Sequence, residues 1–127
     1  MAKILVVDDS PTEVHLLKAA LQKGGHAVIT ATNGVEAIET ARTEKPDVIL
    51  MDVVMPGING FQATRQITQN PETKHIPVIV VSNKSQQTDR VWGLRQGAVE
   101  YLAKPVKEQV LLESIRNVLA GGGKRAP

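Results

Sequence analysis

The chain has no cysteine, only one residue each of tryptophan, tyrosine and phenylalanine, and no long apolar run. Without cysteine, a disulfide scaffold, a zinc-thiolate site and thiol catalysis are excluded. No apolar stretch approaches the roughly 18–20 residues that a membrane helix needs, and no signal-peptide pattern opens the chain. We therefore expect no membrane insertion and a cytoplasmic location.

Aromatic and basic residues are too scattered to form a nucleic-acid surface. Phe61, Trp92 and Tyr101 are separated along the chain, and no basic stripe accompanies them. The net charge of +2 arises from Lys124 and Arg125, so the charges of the remaining residues balance. Binding to nucleic acid is therefore not expected.

Length and composition favour one globular domain. A chain of 127 residues with 42% hydrophobic residues can bury one core but not two. We expect residues 1–120 to form that domain and residues 121–127, which begin with three glycines, to form a flexible tail.

Five short apolar runs, rich in β-branched residues, alternate with segments of helical spacing. The first, third and fourth runs are almost continuously apolar, which is typical of strands buried on both faces. The runs are Lys3–Val7, Ala27–Ala31, Val48–Met51, Val78–Val81 and Glu100–Ala103. This alternation predicts a doubly wound α/β fold, with a parallel five-stranded sheet covered by helices on both faces.

Apolar stripes mark the helices between these runs. Val14, Leu17 and Leu21 follow helical spacing, and so do Val91, Leu94 and Ala98. Two further helical segments contain Val35 and Ile38, and Leu111, Leu112, Ile115, Val118 and Leu119. We expect these stripes to face the sheet.

Polar residues follow four of the five runs. They are Asp8 and Asp9, Asp52, Ser82 and Lys104. Because the carboxyl ends of parallel strands meet at one edge of a sheet, these side chains are expected to converge there. The alternative for the Asp8–Asp9 pair alone is a favourable interaction with the dipole of the following helix.

The chemistry of this group is that of phosphoryl transfer. Three adjacent carboxylates repel one another unless a cation neutralises them, and oxygen ligands without histidine or cysteine suit Mg²⁺. Lys104 adds a positive charge and Ser82 a hydroxyl donor for a phosphoryl group. The sequence therefore predicts that a phosphoryl group is transferred to an aspartate.

The motifs that carry these residues resemble the receiver domain of two-component response regulators over residues 3–119. They are Val6–Ser10, Asp47–Gly57 with Gly60, Ile76–Val78 leading to Ser82, and Gly97–Ala98 leading to Tyr101–Pro105. The resemblance implies a flavodoxin-like receiver fold with strand order 2-1-3-4-5 and five helices. It also implies a response regulator in a chemosensory phosphorelay.

The resemblance assigns roles to individual residues. Asp52 would accept a phosphoryl group from a histidine kinase related to chemotaxis kinases. Mg²⁺ would be held by Asp9, Asp52 and the backbone carbonyl of Val54, with Asp8 assisting through water. Lys104 would pair with the phosphoryl group.

The same resemblance implies a conformational switch. Ser82 and Tyr101 would form the switch pair, with the hydroxyl moving toward the phosphoryl group while the ring turns inward. The peptide bond between Lys104 and Pro105 would be cis. The output face would be formed by the fourth helix, the fifth strand and the fifth helix.

A narrower resemblance links residues 7–13, 59–66 and 91–98 to the PilH-like group of stand-alone regulators of type IV pilus twitching motility. It implies a phosphorylated switch without enzymatic activity on external substrates. Such a receiver acts either by binding a target protein or by draining phosphate from a shared kinase, and the sequence does not choose. We expect a monomer, with dimerisation on phosphorylation as the alternative.

Three other functions are weighed against this one. A flavodoxin-like cofactor binder would need a Gly/Ser/Thr-rich loop where Asp8 and Asp9 stand. An aspartyl-phosphate hydrolase would place its nucleophile after the first strand with a second acid two residues later, where this chain has Ser10. A degenerate receiver that binds partners without phosphorylation is the third.

Overall fold

The computed structural model describes residues 2–121. Residues 122–127 lie outside the described part, so the flexible tail stays a prediction. Among the described residues, no helix is both long and apolar enough to cross a lipid bilayer.

Strands and helices alternate along the whole described chain. Four strands have the predicted bounds, and the fourth is one residue longer because it includes Ser82. The elements are β1 (Lys3–Val7), α1 (Pro11–Lys23), β2 (Ala27–Ala31), α2 (Gly34–Glu44), β3 (Val48–Met51), α3 (Gly60–Gln69), β4 (Val78–Ser82), α4 (Gln87–Arg95), β5 (Glu100–Ala103) and α5 (Glu108–Leu119).

The five strands form one parallel sheet in the order β2-β1-β3-β4-β5, which confirms the predicted fold and strand order. In the register, Val7 of β1 is opposite Ala31 of β2 and Met51 of β3. Ser82 of β4 is opposite Ala103 of β5. The strands therefore end nearly level with one another, and the residues that follow them meet at one edge.

Two hydrophobic layers cover the two faces of the sheet, and successive residues of β1 contribute to each layer in turn. Ile4 and Val6 pack in a layer with buried residues of α1 and α5. Leu5 and Val7 pack in a layer with buried residues of α2 and α3. This alternation explains why the sequence of β1 is continuously apolar, since both faces are buried.

Three helices begin at residues whose side chains cap the helix. The Ser10 hydroxyl accepts a hydrogen bond from the Glu13 amide at 3.3 Å, with Pro11 at the first helical position. Asn33 caps α2 in the same way. At α3, the side chains of Asn59 and Gln62 form a reciprocal capping box.

Helix α4 packs differently from the prediction. Val91 is 40% exposed rather than buried, and Ala98 is buried but lies beyond the end of the helix. The buried residue of α4 is Gly93, because only a residue without a side chain allows the helix to approach the Tyr101 ring this closely. Trp92, the preceding residue, is 51% exposed.

Two other residues of the predicted apolar stripes are also exposed. Val35 lies in the first turn of α2 and is 66% exposed, and Leu119 is the last residue of α5 and is 44% exposed. Helix ends project past the sheet that buries the middle of each helix, so hydrophobic spacing overestimates burial at these ends.

Candidate functional site at the carboxyl edge of the sheet

The strand ends meet around a cavity of about 360 Å³, and every polar residue predicted to converge contributes to its lining. Asp8 and Asp52 follow the neighbouring strands β1 and β3, and the Asp52 amide donates to the Val7 carbonyl at 3.0 Å. The lining residues are Asp8, Asp9, Ser10, Glu13, Asp52, Val54, Ser82, Asn83 and Lys104. Ser10, Glu13 and Asn83 were not among the predicted site residues, although each lies within five residues of one.

Three carboxylates face one another in the cavity. One oxygen each from Asp8, Asp9 and Asp52 lies within 4.8 Å of the others. Asp8 and Asp52 are buried, whereas Asp9 is exposed at the rim. The Asp8 carboxylate is held by the Ser10 amide at 2.9 Å, and one oxygen of Asp52 accepts from the Val53 amide at 2.9 Å.

Lys104 supplies the positive charge of the site. Its ammonium lies 2.7 Å from an oxygen of Asp8, 3.5 Å from Asp52 and 4.0 Å from Glu13. Burial opposes the charged form, but the hydrogen bond with Asp8 and the nearby carboxylates outweigh it and raise the pKa of Lys104. Lys104 therefore stays protonated in the neutral range. Its peptide bond to Pro105 is cis.

The environment of the Asp52 side chain disfavours its ionised form. Burial and the neighbouring Asp8 carboxylate raise the pKa of Asp52 from 3.8 to about 6, although Lys104 and the Val53 amide oppose the shift. The ionised Asp52 therefore costs the folded protein stability until another cation enters the site.

Because the ionised Asp52 is unfavourable, we expect the Asp52→Asn substitution to change the free energy of unfolding in a pH-dependent way. The folded state keeps the Asp52 proton up to about pH 6, whereas the unfolded chain releases it near 3.8. Stability is therefore lost as the pH rises through this window. We expect Asp52→Asn to raise the free energy of unfolding by about 1–2 kcal/mol at pH 7.5 in EDTA, with the gain disappearing toward pH 4.

Urea denaturation at the two pH values measures this difference. Asp47→Asn is the control, because Asp47 is exposed and its carboxylate accepts a hydrogen bond from the Lys3 amide far from the site. A gain of similar size in Asp47→Asn, or no gain in Asp52→Asn, would contradict the electrostatic interpretation.

Ser82 and Tyr101 are linked through the segment that follows β4. The Ser82 hydroxyl oxygen accepts a hydrogen bond from the Lys84 amide at 3.0 Å, and the Tyr101 hydroxyl donates to the Lys84 carbonyl. The Tyr101 ring is 8% exposed, so it lies in the inward position. The two predicted switch residues are thus connected through a single residue of the chain.

The donor set of the cavity fits a hard divalent cation. The carboxylates of Asp8, Asp9 and Asp52 outnumber the single ammonium of Lys104, so the group carries excess negative charge. All side-chain ligand atoms are oxygens, which Mg²⁺ prefers. Val54 lines the same cavity, and its side chain is exposed.

Comparison with known proteins gives consistent matches. Residues 4–116 match the response regulator receiver domain family. The chain is 62% identical over 121 residues to Protein PilH of Pseudomonas aeruginosa, which covers 95% of this chain and 100% of PilH.

Two solved structures have the same fold. The receiver domain of sensor histidine kinase PA1611 of P. aeruginosa is 31% identical, with a TM-score of 0.87 over 94% of this chain and 98% of that one; it has a magnesium ion coordinated in the active-site cleft. The chemotaxis protein CheY4 of Vibrio cholerae is 32% identical, with a TM-score of 0.87 over 93% and 98% of the two chains.

Proposed function

The chain belongs to the response regulator receiver domain family, and from this premise we propose that it is a switch controlled by phosphorylation of Asp52. The observation that carries the proposal is the position of Asp52: it lines the cavity with two further carboxylates and lies 3.5 Å from the Lys104 ammonium. A flavodoxin-like ligand is disfavoured because its phosphate would meet these carboxylates.

The side chains divide the work of phosphoryl transfer among them. A carboxylate oxygen of Asp52 forms the new bond to phosphorus, while the bond from phosphorus to the donor nitrogen of a kinase histidine breaks and that nitrogen takes up a proton. Lys104 leaves its contact with Asp52 to pair with a phosphoryl oxygen. The Ser82 hydroxyl donates to another phosphoryl oxygen.

Mg²⁺ fits as the cofactor of this site. Asp8, Asp9, Asp52 and the backbone carbonyl of Val54 would hold it. When bound, it would neutralise the charge that accumulates on the phosphoryl oxygens. The three carboxylates of Asp8, Asp9 and Asp52 support this role, because the single ammonium of Lys104 does not neutralise them.

The chemistry of the chain ends with hydrolysis of its own acyl phosphate. Water attacks the phosphorus, the bond to Asp52 breaks, and inorganic phosphate leaves. We propose no turnover of an external substrate, because the catalytic groups converge on Asp52 itself.

Incubation with acetyl phosphate followed by intact mass measurement tests the proposed function. We expect a gain of one phosphoryl group that requires Mg²⁺ and reverses with time. If acetyl phosphate gives no gain, phosphotransfer from a histidine kinase is the deciding assay. Failure of both donors would favour a receiver that binds partners without phosphorylation.

The biological role that we propose is control of type IV pilus twitching motility, in the cytoplasm and downstream of a chemotaxis-like histidine kinase. The support is the similarity to PilH along its whole length. In a P. aeruginosa strain lacking PilH, we expect expression of the chain to restore the twitching zone of the parent strain. A zone equal to that of the empty vector would contradict the role while leaving the phosphorylation chemistry unaffected.

A further inference from the structure

Helix α4 encloses the Tyr101 ring on two sides. The guanidinium carbon of Arg90 lies 5.6 Å from the ring centroid. One turn further along, a Cβ atom added at Gly93 would lie 2.8 Å from Cδ2 of the ring and 2.9 Å from Cε2. Phe61 of α3 contacts the ring from another side, with the two centroids 6.5 Å apart. The buried ring therefore fits a space that Arg90 and Gly93 define.

Arg90 also holds the backbone around this ring. Its Nη1 donates to the Tyr101 carbonyl at 3.1 Å, and its Nε donates to the Ser85 carbonyl at 3.3 Å. A planar guanidinium can make both bonds while it lies against an aromatic ring, whereas a lysine ammonium cannot match that geometry. One side chain thus joins α4, β5 and the segment between β4 and α4.

The contacts continue from the ring to the cavity. The Tyr101 hydroxyl donates to the Lys84 carbonyl, and the Lys84 amide donates to the Ser82 hydroxyl oxygen at 3.0 Å. Ser82 lines the cavity beside Asp52. The position of the ring therefore helps to determine where the Ser82 hydroxyl lies, and Arg90 acts at the far end of this series of contacts.

We propose that Arg90 is a positioning residue that holds Tyr101 inward before phosphorylation and thereby prepares Ser82 to receive the phosphoryl group. Gly93 also contributes, because its lack of a side chain leaves the space that the Tyr101 ring occupies. The Tyr101 ring accordingly needs no large movement on phosphorylation, and the change is carried by the segment that contains Ser82 and Lys84.

The position of the Tyr101 ring should also affect binding of a phosphoryl group at Asp52, an expectation that rests on the proposed function. If the inward ring becomes a minor conformation, a ligand that needs it binds more weakly in proportion to the remaining inward fraction. We expect Arg90→Ala to weaken binding of beryllofluoride, a phosphoryl mimic, by about threefold to tenfold in the presence of Mg²⁺.

The chain offers a clean probe of the ring, since Tyr101 is its only tyrosine. Incorporation of 3-fluorotyrosine gives a ¹⁹F spectrum of this one site, recorded without metal or phosphoryl donor. We expect a wild-type resonance shifted from that of free fluorotyrosine and little changed by beryllofluoride. In Arg90→Ala the resonance should move toward the chemical shift of free fluorotyrosine. Addition of beryllofluoride should return it toward the wild-type chemical shift.

Three further variants distinguish positioning of the Tyr101 ring by Arg90 from a general effect of losing a positive charge or of unfolding. Arg95→Ala removes an exposed arginine from the same helix and should match the wild-type chain in both assays. Arg90→Lys keeps the charge and should restore the resonance only in part. Gly93→Ala keeps Arg90 but fills the space of the ring, so it should displace the resonance as Arg90→Ala does.

Three results would overturn the proposal. The first is an unchanged resonance in Arg90→Ala, and the second is an equal change in Arg95→Ala. The third is a displaced resonance with wild-type affinity for beryllofluoride, which would show that the ring does not position Ser82. Failure of the wild-type chain to bind beryllofluoride would count against the proposed function instead, since the ¹⁹F spectrum of the metal-free protein does not depend on phosphorylation.

Discussion

Asp52→Asn will be phosphorylated more than about a hundredfold more slowly than the wild-type chain. No mass gain is therefore expected under conditions that modify the wild-type chain. An amide oxygen is a far weaker nucleophile than a carboxylate. The substitution keeps the shape of the side chain and removes the charge whose burial raises the pKa of Asp52 to about 6. The folded protein is therefore expected to persist while the chemistry is lost.

Intact mass after acetyl phosphate treatment measures phosphorylation, and urea denaturation of the same sample shows that the variant is folded. Asp47→Asn is again the matched control, because it removes an exposed carboxylate at the opposite edge of the sheet and should be phosphorylated at the wild-type rate. A Mg²⁺-dependent mass gain in folded Asp52→Asn would move the acceptor to Asp8 or Asp9.

Gly60→Ala will have the largest effect on folding that we expect from a single methyl group. A Cβ atom at this position would lie 1.9 Å from the Asp52 carbonyl oxygen and 2.9 Å from the Val53 Cα. Both obstacles are backbone atoms, so α3 itself must move and the bond from the Gly60 amide to the Val53 carbonyl, 2.8 Å long, must lengthen. We expect a loss of about 3 kcal/mol in the free energy of unfolding.

The same displacement should reach the proposed phosphorylation site, because the obstructing carbonyl belongs to Asp52. In the fraction of Gly60→Ala that remains folded, we expect phosphorylation to be slowed by at least about tenfold. Urea denaturation gives the stability, and the rate of mass gain at low temperature gives the activity.

Gly57→Ala is a control in the same loop. Gly57 has a φ of +78°, but nothing lies within 4 Å of an added Cβ atom. Its substitution therefore introduces left-handed backbone strain alone, about 1–2 kcal/mol, and should leave the phosphorylation rate nearly unchanged. Equal effects at Gly57 and Gly60 would show that close packing against Asp52 is not the cause.

Much of the architecture follows from local sequence pattern. The almost continuously apolar first, third and fourth runs indicate strands buried on both faces, and five runs alternating with helical stripes leave few arrangements other than a covered parallel sheet. The convergence of Asp8, Asp52 and Lys104 follows once the strands are parallel, because each of these residues comes directly after a strand. The strand order came from the family resemblance, because side-chain periodicity carries no information about which strands are neighbours.

Helix α4 shows where pattern is insufficient. Val91 and Leu94 have the spacing of a buried face, yet the helix turns Gly93 toward the sheet because the Tyr101 ring already occupies that space. Hydrophobic spacing records which residues prefer burial, but the fit of a ring against a helix backbone depends on residues distant in sequence.

The amino-acid sequence by itself determined the class of fold, the edge of the sheet at which polar groups collect, and the oxygen-rich donor set found there. These depend on residue type and order along the chain. The tertiary structure decided the separation of Lys104 from each carboxylate, the direction of the Asp52 pKa shift and the contacts from Arg90 through Tyr101 to Ser82. These depend on distances between side chains, and such distances exist only once the helices have packed.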